Sequence, residues 1–262
     1  MNMTAENQRR ALLELHQLSK RFDGFVAVDE VSFALPEGAL GGLIGPNGAG
    51  KTTLFNAVAG QLSADSGRVL LDGTRIDRLP PHRVFAQGLA RTFQIPRPFP
   101  QMTVLENVMT VPLQQRGESF WNNWLRPGKV AQQERELRDK ALDLIDFCGL
   151  TPVRGDTAAT LSGGQLKLLE LARVLMSDPK IILLDEPAAG VNPSLMGALV
   201  DRIQALNQQG YTFLIIEHNM DLVMSICDPI MVMSQGRLIY QGDAAGAREN
   251  PDVLDAYLGD LP

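Results

Sequence analysis

The sequence predicts an α/β fold with a parallel sheet at its centre, antiparallel hairpin strands beside it and a mostly helical insertion. Three observations carry this. The apolar run Leu40–Ile44 feeds into Gly45-Pro-Asn-Gly-Ala-Gly-Lys51-Thr52-Thr53 and then into the helix-compatible run Leu54–Ala59. A second apolar run, Ile181–Leu184, ends in Asp185-Glu186, as a strand does at the ligand-facing edge of an open parallel sheet. Between them, helical spacing replaces alternation.

Composition narrows the function. The chain has 262 residues, 45% of them hydrophobic and 21% charged, enough for a full core. A net charge of −6 without any basic stripe argues against nucleic acid as a partner. The two cysteines, Cys148 and Cys227, sit in helix-like apolar contexts, which suits a reducing cytoplasm better than a disulfide framework. Apolar runs stay far below the ~18 residues of a membrane span. The polar stretch Met1–Arg10 carries no signal-peptide segment. A soluble, cytoplasmic chain is expected.

Taken in order, Leu12–Leu18 and Ala27–Leu35 read as strands, the second closed by Pro36-Glu-Gly38. Phe22 lies in the turn Lys20–Gly24 between them. It is either a stacking face for a nucleobase or a Phe buried in a strand-edge cluster, and the residues alone leave both open. Gly67–Gly73 reads as a hairpin arm with an Asp-Gly turn, and Pro80-Pro81 opens a short helix to Gln87. Leu89–Phe93 leads to Gln94 and then to Pro96, Pro98 and Pro100, which punctuate a change of lobe. Thr103 is the expected N-cap of a helix through Val108. Residues 113–130, with Phe120, Trp121, Trp124 and Pro127, read as an irregular insertion, and Glu134–Cys148 as an amphipathic helix. A helix begins at Leu161-Ser162-Gly163-Gly164-Gln165, another spans Ser194–Gln208, and a strand spans Thr212–Ile216. Met220, Met224, Met231 and Met233 are expected to fill the core or helix faces. Ile230–Met233 and Arg237–Tyr240 form a closing hairpin, and Pro251–Leu258 a last helix.

The chemistry starts at Gly45–Thr53, a G-x-x-x-x-G-K-[ST] loop in its required strand–loop–helix context. The stretch Gly45, Asn47, Gly48, Ala49, Gly50 lets successive N–H groups curl around an anion, and the following helix N-terminus adds positive partial charge. Lys51 can reach β- and γ-phosphates, and the Thr52 hydroxyl, followed by Thr53, suits Mg²⁺. This implies a bound nucleoside triphosphate. Asp185 can hold the Mg²⁺ shell, and Glu186 can accept a proton from an attacking water. Taken alone, Ser162 with two glycines at a helix start is a weak anion signal, and His218 after a strand reads as a polar cap.

Taken together, these motifs and Gln94 fall in an order that resembles the ATP-binding cassette (ABC) family of transport ATPases over nearly the whole chain. The resemblance implies a P-loop NTPase (ABC ATPase) core with an antiparallel β subdomain and a helical insertion subdomain. It implies one domain over residues 10–258, with the insertion at about 95–160. ATP and Mg²⁺ would be the cofactors. Phe22 would stack on adenine, Gln94 would touch Mg²⁺ and the water, His218 would contact the γ-phosphate and Glu186 would be the general base. Ser162, Gly163, Gly164 and Gln165 belong to the family's signature, which would face ATP held by a second, identical or paralogous ATPase subunit packed head to tail. Membrane permease subunits would dock on this lobe, where Ile95, Phe99, Met102 and Leu105 are either the receptors or residues that merely pack the lobe, and a periplasmic binding protein would act indirectly. The chain would then sit peripherally on the cytoplasmic face of the inner membrane.

A finer similarity is to the larger ATPase subunit of branched-chain amino-acid uptake systems. Leu43–Asn56, Asp185–Pro193 and the ending Ala256-Tyr-Leu-Gly259 carry it. Asn192 stands where the wider family has Asp. Lipopolysaccharide export and urea or amide uptake share these motifs and stay open as cargoes. A soluble ATPase acting on ribosomes or DNA fits poorly with a single acidic cassette.

Overall fold

Two long alternating runs start the chain and pair with each other. The computed structural model describes residues 10–92, 97–112, 127–190 and 192–258. β1 (Ala11–Phe22) and β2 (Phe25–Pro36) form an antiparallel hairpin with Phe22 opposite Phe25. The hairpin turn is only Asp23-Gly24, both at positive φ, the geometry that two-residue hairpins favour. Lys20–Phe22 therefore belong to the strand, where the sequence suggested a longer turn. β3 (Leu40–Ile44) is buried throughout and is followed by the phosphate-loop residues and α1 (Lys51–Val58). β4 (Ser66–Leu71) and β5 (Thr74–Arg75) join through Asp72-Gly73, the expected turn. α2 (Pro81–Ala86) and β6 (Leu89–Arg91) follow.

α3 (Val104–Met109) is capped by Thr103 in a reciprocal capping box with Glu106. α4 runs Pro127–Phe147, so 127–130, expected to be irregular, are helical, and the helix starts seven residues before Glu134. Proline at the first helical position needs no N–H partner and makes this start possible. Residues 113–126, including Phe120, Trp121 and Trp124, lie outside the described residues. α5 (Gly163–Leu175), β7 (Ile181–Asp185), α6 (Pro193–Gln208) and β8 (Thr212–Ile216) come next. α7 (Met220–Ile226), β9 (Ile230–Ser234) and β10 (Arg237–Gly242) complete the sheets. α8 (Ala244–Glu249) was not anticipated; Asp243 caps it by accepting from the Gly246 amide at 2.7 Å. α9 (Pro251–Leu258) is last.

The strands form two sheets. One is antiparallel in the order β2-β1-β4-β5; the other runs β10-β9-β3-β8-β7-β6 and is parallel except for the edge strand β10. Apolar residues of both sheets and of α1 share one core, with Leu13, Leu43, Phe55, Val69 and Leu214 almost wholly buried. Met231 and Met233 are in it, Met224 is buried on α7 and Met220 is half-buried. Two compact units result. The first comprises Met1–Arg91, Lys180–Pro187 and Leu206–Pro262 and holds both sheets. The second comprises Thr92–Pro179 and Ala188–Ala205, and its described elements are helices and helical turns.

Candidate functional site

The parallel register decides where the polar strand ends meet. Leu43 lies opposite Ile216, and Ile216 lies opposite Asp185, so β3, β8 and β7 end level. The phosphate-loop residues, Glu217-His218 and Asp185-Glu186 therefore emerge at one carboxyl edge of one unit. A doubly wound sheet places ligands there.

Asn47, Gly48 and Thr52 are exposed, whereas Gly45, Ala49 and Lys51 are buried and Gly50 and Thr53 half-buried. Gly50 caps α1 at φ 95°, and a Cβ there would strike the carbonyl oxygen of Ala27, so glycine is required. The Gly236 amide donates to the Ala49 carbonyl at 3.1 Å, anchoring the loop on the β9–β10 turn. Lys51 folds back on the loop and donates to the carbonyl oxygens of Gly45 at 2.7 Å and Pro46 at 2.9 Å. Burial lowers the pKa of this ammonium, and the Glu186 charge opposes the shift. Two neutral acceptors are weak partners for a buried cation, so the site favours an incoming anion.

Glu186 has φ 47°, a left-handed conformation that is costly for a residue with a Cβ, and its amide donates to the Ile216 carbonyl at 2.9 Å. Strain of this kind concentrates at functional positions. Its carboxylate Oε1 lies 2.7 Å from His218 Nε2. His218, which the residues alone read as a strand-end cap, thus meets the Glu186 carboxylate. Asp185, 5% exposed, is paired with Arg91 at 2.7 Å.

Phe22 is 45% exposed, which rules out the buried alternative. The Lys20 ammonium lies 5.5 Å from its ring centre. Gln94 and Ile95 lie outside the described residues.

The second unit carries Ser162 as the N-cap of α5. Its Oγ accepts from the Gln165 amide at 3.3 Å, and the Gln165 side chain accepts from the Ser162 amide at 2.9 Å. Gln165 thus completes the cap that sets Ser162 and Gly163-Gly164 at the helix start. In the same unit Phe99 is 49% and Met102 38% exposed, while Leu105 is half-buried. Asn107, fully buried, ties their loop together by accepting from the Phe99 amide and donating to the carbonyls of Phe99, Met102 and Thr103. Sequence reasoning missed Asn107, for an isolated Asn in a short helix gives no signal. Burial pushes the phenol of Tyr257, part of the C-terminal ending quoted above, up to about 12 against an opposing hydrogen bond from the Gly45 backbone. Burial raises the Cys148 and Cys227 thiols to about 12, so neither is a nucleophile at neutral pH.

A family model described as ABC transporter matches residues 28–189. The chain belongs to the ABC transporter family. Among its relatives, the probable branched-chain amino acid transport ATP-binding protein LivG of Archaeoglobus fulgidus is 42% identical over 95% of both chains. The high-affinity branched-chain amino acid transport ATP-binding protein BraF of Pseudomonas aeruginosa is 40% identical, over 96% of this chain and 99% of its own. The structure is also similar to a nucleotide-free ATP-binding cassette from an ABC transporter, with TM-score 0.82 and 37% identity, covering 96% of this chain and all of that one. The ADP conformation of another ABC-transporter cassette matches at TM-score 0.80 and 35% identity, over 96% of this chain and all of that one. The mixed α/β P-loop fold expected from the sequence is the ABC ATPase fold.

Proposed function

We propose that the chain is the ATP-hydrolysing subunit of a transporter that takes up branched-chain amino acids. The meeting of the phosphate loop, Asp185-Glu186 and His218 at one sheet edge carries the ATPase part. Relatives named for branched-chain amino acid transport, matched over at least 95% of this chain, support the cargo.

In this reading residues 10–258 act as a single ABC ATPase domain with a helical subdomain inserted at about 95–160. Phe22 stacks on adenine, and Gly45, Asn47, Gly48, Ala49, Gly50, Lys51, Thr52 and Thr53 cradle the phosphates. Lys51 exchanges the Gly45 and Pro46 carbonyls for phosphate oxygens, a stronger charge-assisted partner. Glu186 takes the proton of the attacking water, and His218 orients Glu186 and contacts the γ-phosphate. The Thr52 hydroxyl and the Asp185 carboxylate are hard oxygen donors, and Gln94 completes the set. Among the described residues no cluster of three His, Cys, Asp or Glu could hold a metal. That donor set fits Mg²⁺, which is held by few protein oxygens and substrate phosphates and supplies charge neutralisation when bound.

Ser162, Gly163, Gly164 and Gln165 act on ATP held by a second ATPase subunit. No described helix is long and apolar enough to cross a membrane. The subunit works peripherally at the cytoplasmic face of the inner membrane, served indirectly by a periplasmic binding protein. Permease subunits dock on the helical lobe, with Ile95, Phe99, Met102 and Leu105 as the receptors.

The test is reconstitution with its permeases and binding protein in vesicles. ATP-dependent accumulation of labelled leucine, isoleucine or valine is the expected result. An assembled, ATP-hydrolysing complex that moves none of them overturns the cargo and leaves the ATPase assignment standing.

A further inference from the structure

Arg91 closes β6, opposite Leu183 of β7, and neither the phosphate loop nor the signature accounts for it. Its guanidinium is engaged on three sides. One terminal nitrogen donates to Asp185 Oδ2 at 2.7 Å, and both side chains are more than nine-tenths buried. The other donates to Asn56 Oδ1 on α1 at 2.7 Å and to Gln61 Oε1 at 3.1 Å. Its Cζ lies 5.8 Å from the Phe55 ring centre. Its Nε is buried and meets no acceptor among the described residues. The side chain is therefore set by what its two ends bridge, at the expense of its own satisfaction.

Two consequences follow. The Asp185 carboxylate is taken out of water by burial, and the Arg91 guanidinium supplies the charge-assisted hydrogen bond that replaces it. The guanidinium holds Oδ2, so Oδ1 is the oxygen outside that pair. The anchor on Asn56 ties this orientation to the helix that begins at Lys51. Only a planar fork spans both acceptors, which a lysine ammonium cannot do.

We propose that Arg91 is a positioning residue that orients the Asp185 carboxylate towards the metal of MgATP and ties it to the phosphate-binding helix. This rests on the proposed function, in which Asp185 belongs to the Mg²⁺ shell.

The experiment measures ATP binding to the intact chain by calorimetry, in EDTA and across a Mg²⁺ titration. Arg91→Gln is expected to bind metal-free ATP as the unaltered chain does. It should need about 10–100-fold more Mg²⁺ for the metal-dependent gain in affinity, the usual effect of losing a residue that orients a metal ligand. Arg91→Lys, which keeps the charge but not the fork, should fall between the two. An unshifted Mg²⁺ dependence in folded Arg91→Gln overturns the proposal. A parallel loss of metal-free and metal-dependent binding also overturns it, since that is what simple support of the fold would do. Should Arg91→Gln not fold, Asn56→Ala removes only the α1 anchor. A smaller shift of the same sign supports the proposal and no shift overturns it. Asp185→Asn separates the two readings. If it leaves the Mg²⁺ dependence unaltered, the metal role of Asp185 falls and this inference with it. If it shifts the dependence while Arg91→Gln does not, only the inference falls.

Discussion

Glu186 sits in a left-handed backbone conformation with its carboxylate on His218, and no other described residue joins strain, a polar strand end and a histidine in this way. If it takes the proton from water, Glu186→Gln keeps the shape and the hydrogen-bonding capacity and removes the base. Turnover should fall by roughly 10²–10⁴-fold while ATP still binds. Steady-state hydrolysis and equilibrium ATP binding, measured on the same preparation, separate the two effects; near-normal turnover would sink the assignment. Lys51→Ala should do the reverse and lose nucleotide affinity, if the charge now held by the Gly45 and Pro46 carbonyls moves to phosphate as proposed. The residue types at 45–53 and 185–186 were legible because a phosphate loop needs its glycines, lysine and threonine at set spacing. The Glu186–His218 contact was not legible from local chemistry. Nothing near His218 in the sequence says which carboxylate, 32 residues away, it will meet.

At the scale of the element, the β1–β2 hairpin converts one tight turn into an exposed aromatic. With only Asp23-Gly24 between the strands, Phe22 and Phe25 oppose each other at the tip, and β2 runs on to Ala27, whose carbonyl abuts Gly50 of the phosphate loop. Phe22→Ala should weaken ATP binding by roughly 1–3 kcal/mol, the worth of one aromatic–base stack, without changing the melting temperature much. Phe22→Tyr should restore it. Titration with ATP alongside thermal unfolding checks both; a large stability loss with unchanged affinity would return Phe22 to a packing role. The end of β1 was hidden because Lys20-Arg21 are polar and Phe22 stands directly before the Asp23-Gly24 turn, so the three read as part of it. The N-terminal turns of α4 were hidden similarly, since Pro127-Gly-Lys reads as a loop and becomes helical by continuity with the amphipathic stretch behind it.

For the whole molecule, the proposed function places Ser162 of one subunit on ATP bound by another. Mixing Ser162→Arg protein with Lys51→Ala protein should then recover part of the ATPase activity. One interface of the mixed dimer carries both lesions and the other carries neither. Hydrolysis followed against the mixing ratio should rise to a maximum; a flat, inactive profile argues against sharing. The Ser162 capping box belongs to its own helix, so its stability contribution is local, and a Ser162→Thr control keeps it.

The sequence by itself determined the chemistry and the fold class. The phosphate loop and the acidic strand end are short-range patterns that depend on residue type and spacing and survive without coordinates, whereas 161–165 gains its meaning only from its place in the order of motifs. Tertiary structure alone decided who touches whom. The level ends of β3, β8 and β7 bring Glu186 to His218, and β6 beside β7 brings Arg91 to Asp185 across 94 residues of chain. Such contacts arise from strand order and register. A sheet of order β10-β9-β3-β8-β7-β6 is set by how its buried faces pack, and no single segment encodes that order.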